Sequence, residues 1–193
     1  LWSNAATTAT VTGLAAGTYS VTVTDAHGCT ATSSTTITQP ATLATTASTL
    51  TNVSCNGLSN GSVTTNTTGG TTSYTYLWSN AATTATVTGL AAGTYSVTVT
   101  DAHGCTATGS TTITQPATLA TTASTTVNVS CNGLSNGSVT TATSAGTTPY
   151  TYLWSNAATT ATVTGLSAGT YSVTVTDAHG CTATSSTTIT QPA

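Results

Sequence analysis

The chain has 193 residues, a formal net charge of −3, and neither lysine nor arginine; charged residues make up only 2% of it. Without a basic side chain there is no clamp for phosphate and no electrostatic footprint for nucleic acid or acidic lipid, so nucleic-acid binding is excluded. No apolar run approaches the 18 residues of a membrane-spanning helix, so no membrane insertion is expected in this segment, and the abundance of threonine, about three residues in ten, favours strands over disorder.

"LWSNAATTATVTGL" starts at Leu1, Leu77 and Leu153, and "TQP" closes at Pro40, Pro116 and Pro192, so the repeat is 76 residues long. That period exceeds the usual 20–50 residues of solenoids and suits a small closed domain. Residues 1–40 read as the C-terminal part of a truncated repeat, 41–116 as a complete repeat and 117–193 as another. The opening in mid-pattern suggests a piece of something longer. The two complete repeats differ at eight of 76 positions. The linker "TQPAT" is short and stiffened by proline, so a rod that bends little is expected.

Within 117–192 the apolar residues alternate at period 2, the mark of half-buried strands. Leu119, Ala123, Val127, Val129 and Cys131 share one register; Val139 stands alone in "GSVTTAT". Tyr150, Tyr152 and Trp154 share a face, as do Ala161 and Val163, with Leu166 after a glycine. Tyr171, Val173 and Val175 point one way; Cys181, Ala183 and Ile189 follow in the last strand. Turn signals separate them: "CNGLSNG", "SAGTTPY", "SNAATT", "GLSAG" and "DAHG". The predicted fold is all-β: tandem small antiparallel β-sandwich modules, Ig-like in the fibronectin or PKD manner. The expected cores hold Trp78, Tyr95, Val97 and Val99 in one repeat and Trp154, Tyr171, Val173 and Val175 in the next. The tryptophan on the third strand and the tyrosine after "SAG" match the buried tryptophan and tyrosine corner of Ig domains.

"YTYLWSNAATTATVTGLAAGTYSVTVTDAHGCTATGSTTITQP", preceded by "NVSCNGLSNGSV", resembles the SprB-type repeat of large surface adhesins in gliding bacteria. The resemblance extends over essentially the whole chain. Two departures stand out: the family commonly has Asn-Gly where this chain has His27, His103 and His179 before glycine, and a glycine between Asn and Ala where this chain reads "SNAATT". The resemblance implies an Ig-like module of a secreted, extracellular cell-surface adhesin. It implies no particular ligand.

"TDAHGCT" occurs three times and contains every aspartate and histidine of the chain. Asp, His and Cys together could suggest a nucleophile with its base. Yet "TVTD" and "CTAT" both read as strands, which makes the segment a hairpin: Asp25, His27 and Gly28, then Asp101, His103 and Gly104, then Asp177, His179 and Gly180. In that hairpin the histidine is expected at positive φ, with the glycine following, and the aspartate is expected to accept turn amides. A metal needs three or four converging ligands, which one such turn does not offer, and calcium wants several carboxylates. No catalytic residues, cofactor or metal are expected, and no enzyme activity.

Each complete repeat has one cysteine before Asn-Gly (Cys55, Cys131) and one after His-Gly (Cys105, Cys181). Two per domain in an extracellular chain read as a disulfide. The natural pairing is within a module, Cys55–Cys105 and Cys131–Cys181, with the partner of Cys29 before Leu1. Sequential pairing, Cys29–Cys55 and Cys105–Cys131, stays open. So do links across the module boundary, because the first and last hairpins of an Ig topology lie at opposite ends.

Thr94, Ser96, Thr98 and Thr100 lie beside Thr106, Thr108, Ser110, Thr112 and Thr114 as a neutral Thr/Ser surface. It lacks the edge lysines that block strand pairing, so lateral assembly into a filament is the competing expectation. Ordered-water or ice contact and O-glycosylation are further readings. Asn52, Asn60, Asn66, Asn128 and Asn136 lie in N-x-Ser/Thr sequons, and Asn-Gly pairs at Asn56, Asn60, Asn132 and Asn136 are chemical weak points. The expected partners are other copies of the module or chain, with a surface or polysaccharide ligand. The expected role is a stalk or fibre for attachment in gliding-type adhesion.

Overall fold

The computed structural model describes residues 1–193. All regular structure is β. Residues 1–40 supply β1 (Gly17–Thr24) and β2 (Thr30–Ile37). The first complete repeat supplies β3 (Ala44–Thr51), β4 (Gly61–Thr68), β5 (Thr75–Trp78), β6 (Thr86–Leu90), β7 (Gly93–Thr100) and β8 (Thr106–Ile113). The second supplies β9 (Ala120–Val127), β10 (Gly137–Ser144), β11 (Thr151–Trp154), β12 (Thr162–Leu166), β13 (Gly169–Thr176) and β14 (Thr182–Ile189). Each complete repeat folds as two three-stranded antiparallel sheets, ordered β3-β4-β6 and β5-β7-β8, then β9-β10-β12 and β11-β13-β14. This is an Ig-like sandwich, six strands with the chain crossing between sheets after the second, third and fourth.

Alternation dictates the layers. Along β7, Val97 and Val99 point inward and are fully buried, while Thr94 and Ser96 face solvent. Val97 and Val99 join Val53, Val63, Trp78, Leu90 and Ile113 in one core; Val173 and Val175 join Ala123, Val129, Val139, Trp154, Leu166 and Ile189 in the other. Trp78 donates its indole N–H to the Thr84 carbonyl at 2.9 Å, and Trp154 does the same to Thr160, so a large apolar ring is buried without an orphaned donor. Tyr95 and Tyr171 lie at the core margin, half-buried, and donate their hydroxyls to the carbonyls of Ala91 and Ser167 at 3.1 Å. Those bonds are the tyrosine corner. Gly137 lies close to its neighbours: a Cβ there would be 2.9 Å from both Ile189 Cγ2 and the Leu166 carbonyl oxygen.

The two sheets meet along β3 and β8, whose ends are stitched by Val53 N–H to the Thr114 carbonyl (3.0 Å) and Thr114 N–H to Asn52 Oδ1 (2.9 Å). Val127 departs from the predicted inward register. A bulge opposite Ser138 and Val139 shifts the phase of β9, leaving Val127 49% exposed while Val129 is buried.

Residues 1–40 repeat residues 77–116 with one change, Ser33 for Gly109. They form the β1–β2 hairpin with a single bridge from Trp2 to Val21. No sheet covers their inner face. Val23 is 61% exposed where its equivalent Val99 is 0%. The same sequence is thus seen with and without its opposing sheet, and each valine so covered contributes about 1.5–3 kcal/mol.

Candidate junction and contact face

Asp25, Asp101 and Asp177 close their hairpins in the same way. Gly104 N–H donates to the Asp101 carbonyl, Asp101 N–H donates to the Cys105 carbonyl, and Asp101 Oδ1 accepts the His103 and Cys105 amides at 2.9 Å. This is a three-residue loop, a turn followed by one left-handed residue. The left-handed position belongs to glycine: φ is +83° at Gly28 and +82° at both Gly104 and Gly180. The histidines do not adopt positive φ. The expectation for His27, His103 and His179 is corrected accordingly, because a three-residue hairpin needs one such residue and glycine has no Cβ to strain.

In the complete repeats the aspartate does more. Asp101 Oδ2 accepts the Thr71 amide and Asp177 Oδ2 the Thr147 amide, both at 2.9 Å, tying the turn to the loop between sheets. Both carboxylates are buried. The Thr71 amide is the largest influence on Asp101 and, with the Cys105 and His103 amides, holds its pKa below the usual 3.8. At Asp177 burial pushes upward, but the Thr147, Cys181 and His179 amides outweigh it and the pKa is again lowered. His103 and His179 bond through Nδ1 to the Thr71 and Thr147 hydroxyls. The whole motif is spent on fixing one corner.

The cysteines do not pair within modules. Cys55 of the first complete repeat is bonded to Cys181 of the second, with Cα atoms 5.6 Å apart, while Cys29, Cys105 and Cys131 are free and exposed. This corrects both Cys55–Cys105 with Cys131–Cys181 and the sequential pairing; of the alternatives, a link across the module boundary is what the structure has. The reason is the parallel course of β3 and β8. Cys55 follows the end of β3 and lies with the module's C-terminal end, where Asn56 Nδ2 donates to the Pro116 carbonyl and Gly57 N–H to Gln115 Oε1. Cys105 precedes β8 and lies with the N-terminal end, lining a cavity with Thr42, Leu43 and Asp101. The two cysteines of one module therefore occupy opposite ends, and the C-terminal end of one module meets the N-terminal end of the next.

At that junction the Ser54–Leu58 loop sits over Leu119 and the Cys181 turn. Leu119 is buried there, whereas Leu43, its equivalent one repeat earlier, is only half-buried. Nothing in the spacing of the cysteines distinguishes this pairing from the others.

The outer face of the β5-β7-β8 sheet is a register of hydroxyls. Thr94 stands opposite Thr112, Ser96 opposite Ser110, Thr98 opposite Thr108 and Thr100 opposite Thr106. Thr94 and Thr112 are hydrogen-bonded at 3.0 Å, as are Thr18 with Thr36 and Thr170 with Thr188 at 3.0 and 3.1 Å. Leu77 and Leu153 interrupt this face, 58% and 57% exposed. The result is a neutral surface with one apolar side chain per repeat.

Among solved structures the chain is similar to three N-terminal domains of the bacteriophage RB49 Highly Immunogenic Outer Capsid protein, at 19% identity and a TM-score of 0.47, covering 78% of this chain and 59% of that one. It is similar to a tetra-tandem repeat from the extending region of a large adhesion protein, at 16% identity and a TM-score of 0.28, covering 89% and 56%. A titin I-band fragment, I67–I69, aligns at 11% identity and a TM-score of 0.37, covering 92% and 75%. The chain thus spans less than two thirds of the first two structures. No curated protein matches it. The SprB repeat model matches residues 47–83 and 123–159, which run from β3 to just past β5 and from β9 to just past β11. These stretches hold the Ser-Cys-Asn-Gly loop and the buried tryptophan of each sandwich, and at both places the chain is similar to the SprB repeat.

Proposed function

We propose that this chain is a non-enzymatic repeat segment of a large secreted cell-surface adhesin, an extended stalk or fibre that mediates attachment of the gliding type. The observation that carries the reading is the Cys55–Cys181 bond between successive repeats. A disulfide persists outside the cell and is rare in a reducing cytosol. Placed across a module boundary, it resists tension applied along the chain.

Attachment would come from the hydroxyl face. Each repeat presents the same Thr/Ser rows beside one exposed leucine, Leu77 or Leu153. Such a face offers hydrogen bonds and a small apolar contact to a polysaccharide or a wetted surface without charge selectivity. Individually the contacts are weak; repeated along one chain they gain strength through effective concentration.

The competing reading is a filament or sheath built by lateral packing of modules. It is less favoured by the strand edges. β5 and β11 have four residues and β6 and β12 have five. Short edge strands are a common device against edge-to-edge pairing. Electron microscopy of the negatively stained native protein separates the two: single thin stalks are expected, and ordered helical or sheet-like assemblies would favour the filament. Antibodies to the repeat are expected to label intact source cells; labelling only after lysis would rule out the adhesin.

A further inference from the structure

Cys55 has four other cysteines to choose from, and the one it bonds lies 126 residues away in a different sandwich. Two thiols on separate bodies meet only as often as the linker between those bodies allows. Selection of Cys181 therefore lies in the contacts that hold the linker. The first module grips it from both sides of Cys55. Val53 N–H donates to the Thr114 carbonyl at 3.0 Å, Asn56 Nδ2 to the Pro116 carbonyl at 3.1 Å and Gly57 N–H to Gln115 Oε1 at 2.9 Å. The second module takes hold one residue later, where Gly146 N–H donates to the Ala117 carbonyl at 3.3 Å. Between the last tie of one sandwich and the first tie of the next stands a single peptide bond, that of Pro116 with Ala117. The linker has no slack.

The same contacts lead on to the partner cysteine. Leu119 is buried against Gly146 and the Asp177 carboxylate: a Cβ on Gly146 would lie 2.9 Å from both Leu119 Cδ1 and Asp177 Oδ2. Asp177 Oδ1 in turn accepts the Cys181 amide at 2.9 Å. Fixed groups thus run from the Cys55 loop through Gln115, Leu119 and Asp177 to Cys181. Each tie recurs in the other complete repeat. Gly133 N–H donates to Gln191 Oε1 at 3.2 Å, and Gly70 N–H to the Ala41 carbonyl at 2.7 Å. The ties belong to the repeat rather than to the disulfide.

We infer that Asn56 and Gln115 are positioning residues that seat the Cys55 loop against Cys181 before the bond forms, so that the disulfide locks a joint already set by hydrogen bonds. Little ordering is then left for oxidation to impose. With oxidised glutathione, the Cys55 thiolate attacks one glutathione sulfur and the other glutathione leaves as thiolate. The Cys181 thiolate attacks Cys55 Sγ in the mixed disulfide, and the second glutathione thiolate leaves as the Cys55–Cys181 bond forms. The two protons lost by the protein thiols end on the two reduced glutathiones. When the bond is reduced, the joint keeps its geometry. The inference rests on the cross-module bond and is independent of the adhesive role.

The test reduces the full chain without denaturant and equilibrates it with reduced and oxidised glutathione. Disulfide mapping then gives the pairs formed and the effective concentration of Cys55 and Cys181 for each other. Cys55–Cys181 should be the main bond. Asn56→Ala/Gln115→Ala should lower the effective concentration at least about tenfold. Insertion of four Gly/Ser residues between Pro116 and Ala117 should do the same and leave the tryptophan fluorescence of both sandwiches unchanged. Gln115→Glu, which keeps an acceptor for the Gly57 amide, and Gln191→Ala, the same position one repeat later, should each stay within about twofold of the parent chain. An effective concentration that survives the insertion, or that falls as far with Gln191→Ala, would overturn the inference.

Discussion

Pulling the chain by its two ends should reveal that the Cys55–Cys181 bond takes most of it out of the load path. Tension entering at Leu1 reaches Cys55, crosses the disulfide to Cys181 and leaves through Ala193. The bond spans 126 residues of sequence, so the segment between the two cysteines bears no end-to-end load. Only residues 1–54 and 182–193 remain extensible, about 66 residues, or about 230 Å at roughly 3.5 Å per residue. The reduced chain has all 193 residues available, about 670 Å on the same scale. The disulfide should therefore hide about 440 Å of contour length. Optical-tweezers extension of the chain, with Cys29, Cys105 and Cys131 alkylated beforehand, measures this directly. Addition of reductant, or the variant Cys55→Ser, should release the missing length. Should the oxidised chain pay out more than about 300 Å, the cross-module link does not carry the load and the mechanical reasoning fails.

Four further outcomes follow from the sandwiches. Asp101 and Asp177 have pKa values held below 3.8, so their contribution is present above about pH 4 and is lost as pH falls through the folded-state value; denaturation midpoints should drop on acidification, and the double variant Asp101→Asn/Asp177→Asn should flatten that dependence. Gly109→Ser should stabilise the first complete repeat by about 1 kcal/mol, because Ser185 at the equivalent place accepts the Ala123 amide at 2.9 Å; an unchanged urea midpoint would show that the edge of β3 gains nothing. Thr65 has a buried hydroxyl without a partner whereas Thr141 bonds Thr121 at 2.6 Å, so Thr65→Val should stabilise by about 1 kcal/mol and Thr141→Val should destabilise by a similar amount. Gly137→Ala forces a methyl against Ile189 and the Leu166 carbonyl and should cost about 1–3 kcal/mol in denaturant titrations followed by tryptophan fluorescence.

Much of the fold is legible in the residues. The 76-residue period marks the repeats, and the two-residue alternation of Tyr95, Val97 and Val99 assigns the buried face, because successive side chains in a strand point to opposite sides. The Asp-Ala-His-Gly corner is readable as a turn for the same reason: glycine supplies the one conformation that the hairpin needs. What alternation lacks is phase after a bulge, which is why Val127 points outward against its pattern. It also says which face a residue takes but not which end of the body. Cys55 and Cys105 each sit beside a strand with suitable neighbours, and as strings they suit a bond within one module. Only the tertiary structure decides otherwise, because β3 and β8 run side by side in the same direction and carry those cysteines to opposite ends. Sequence alone determined a tandem β-sandwich with no basic residue; three-dimensional packing determined that its covalent tie joins one repeat to the next.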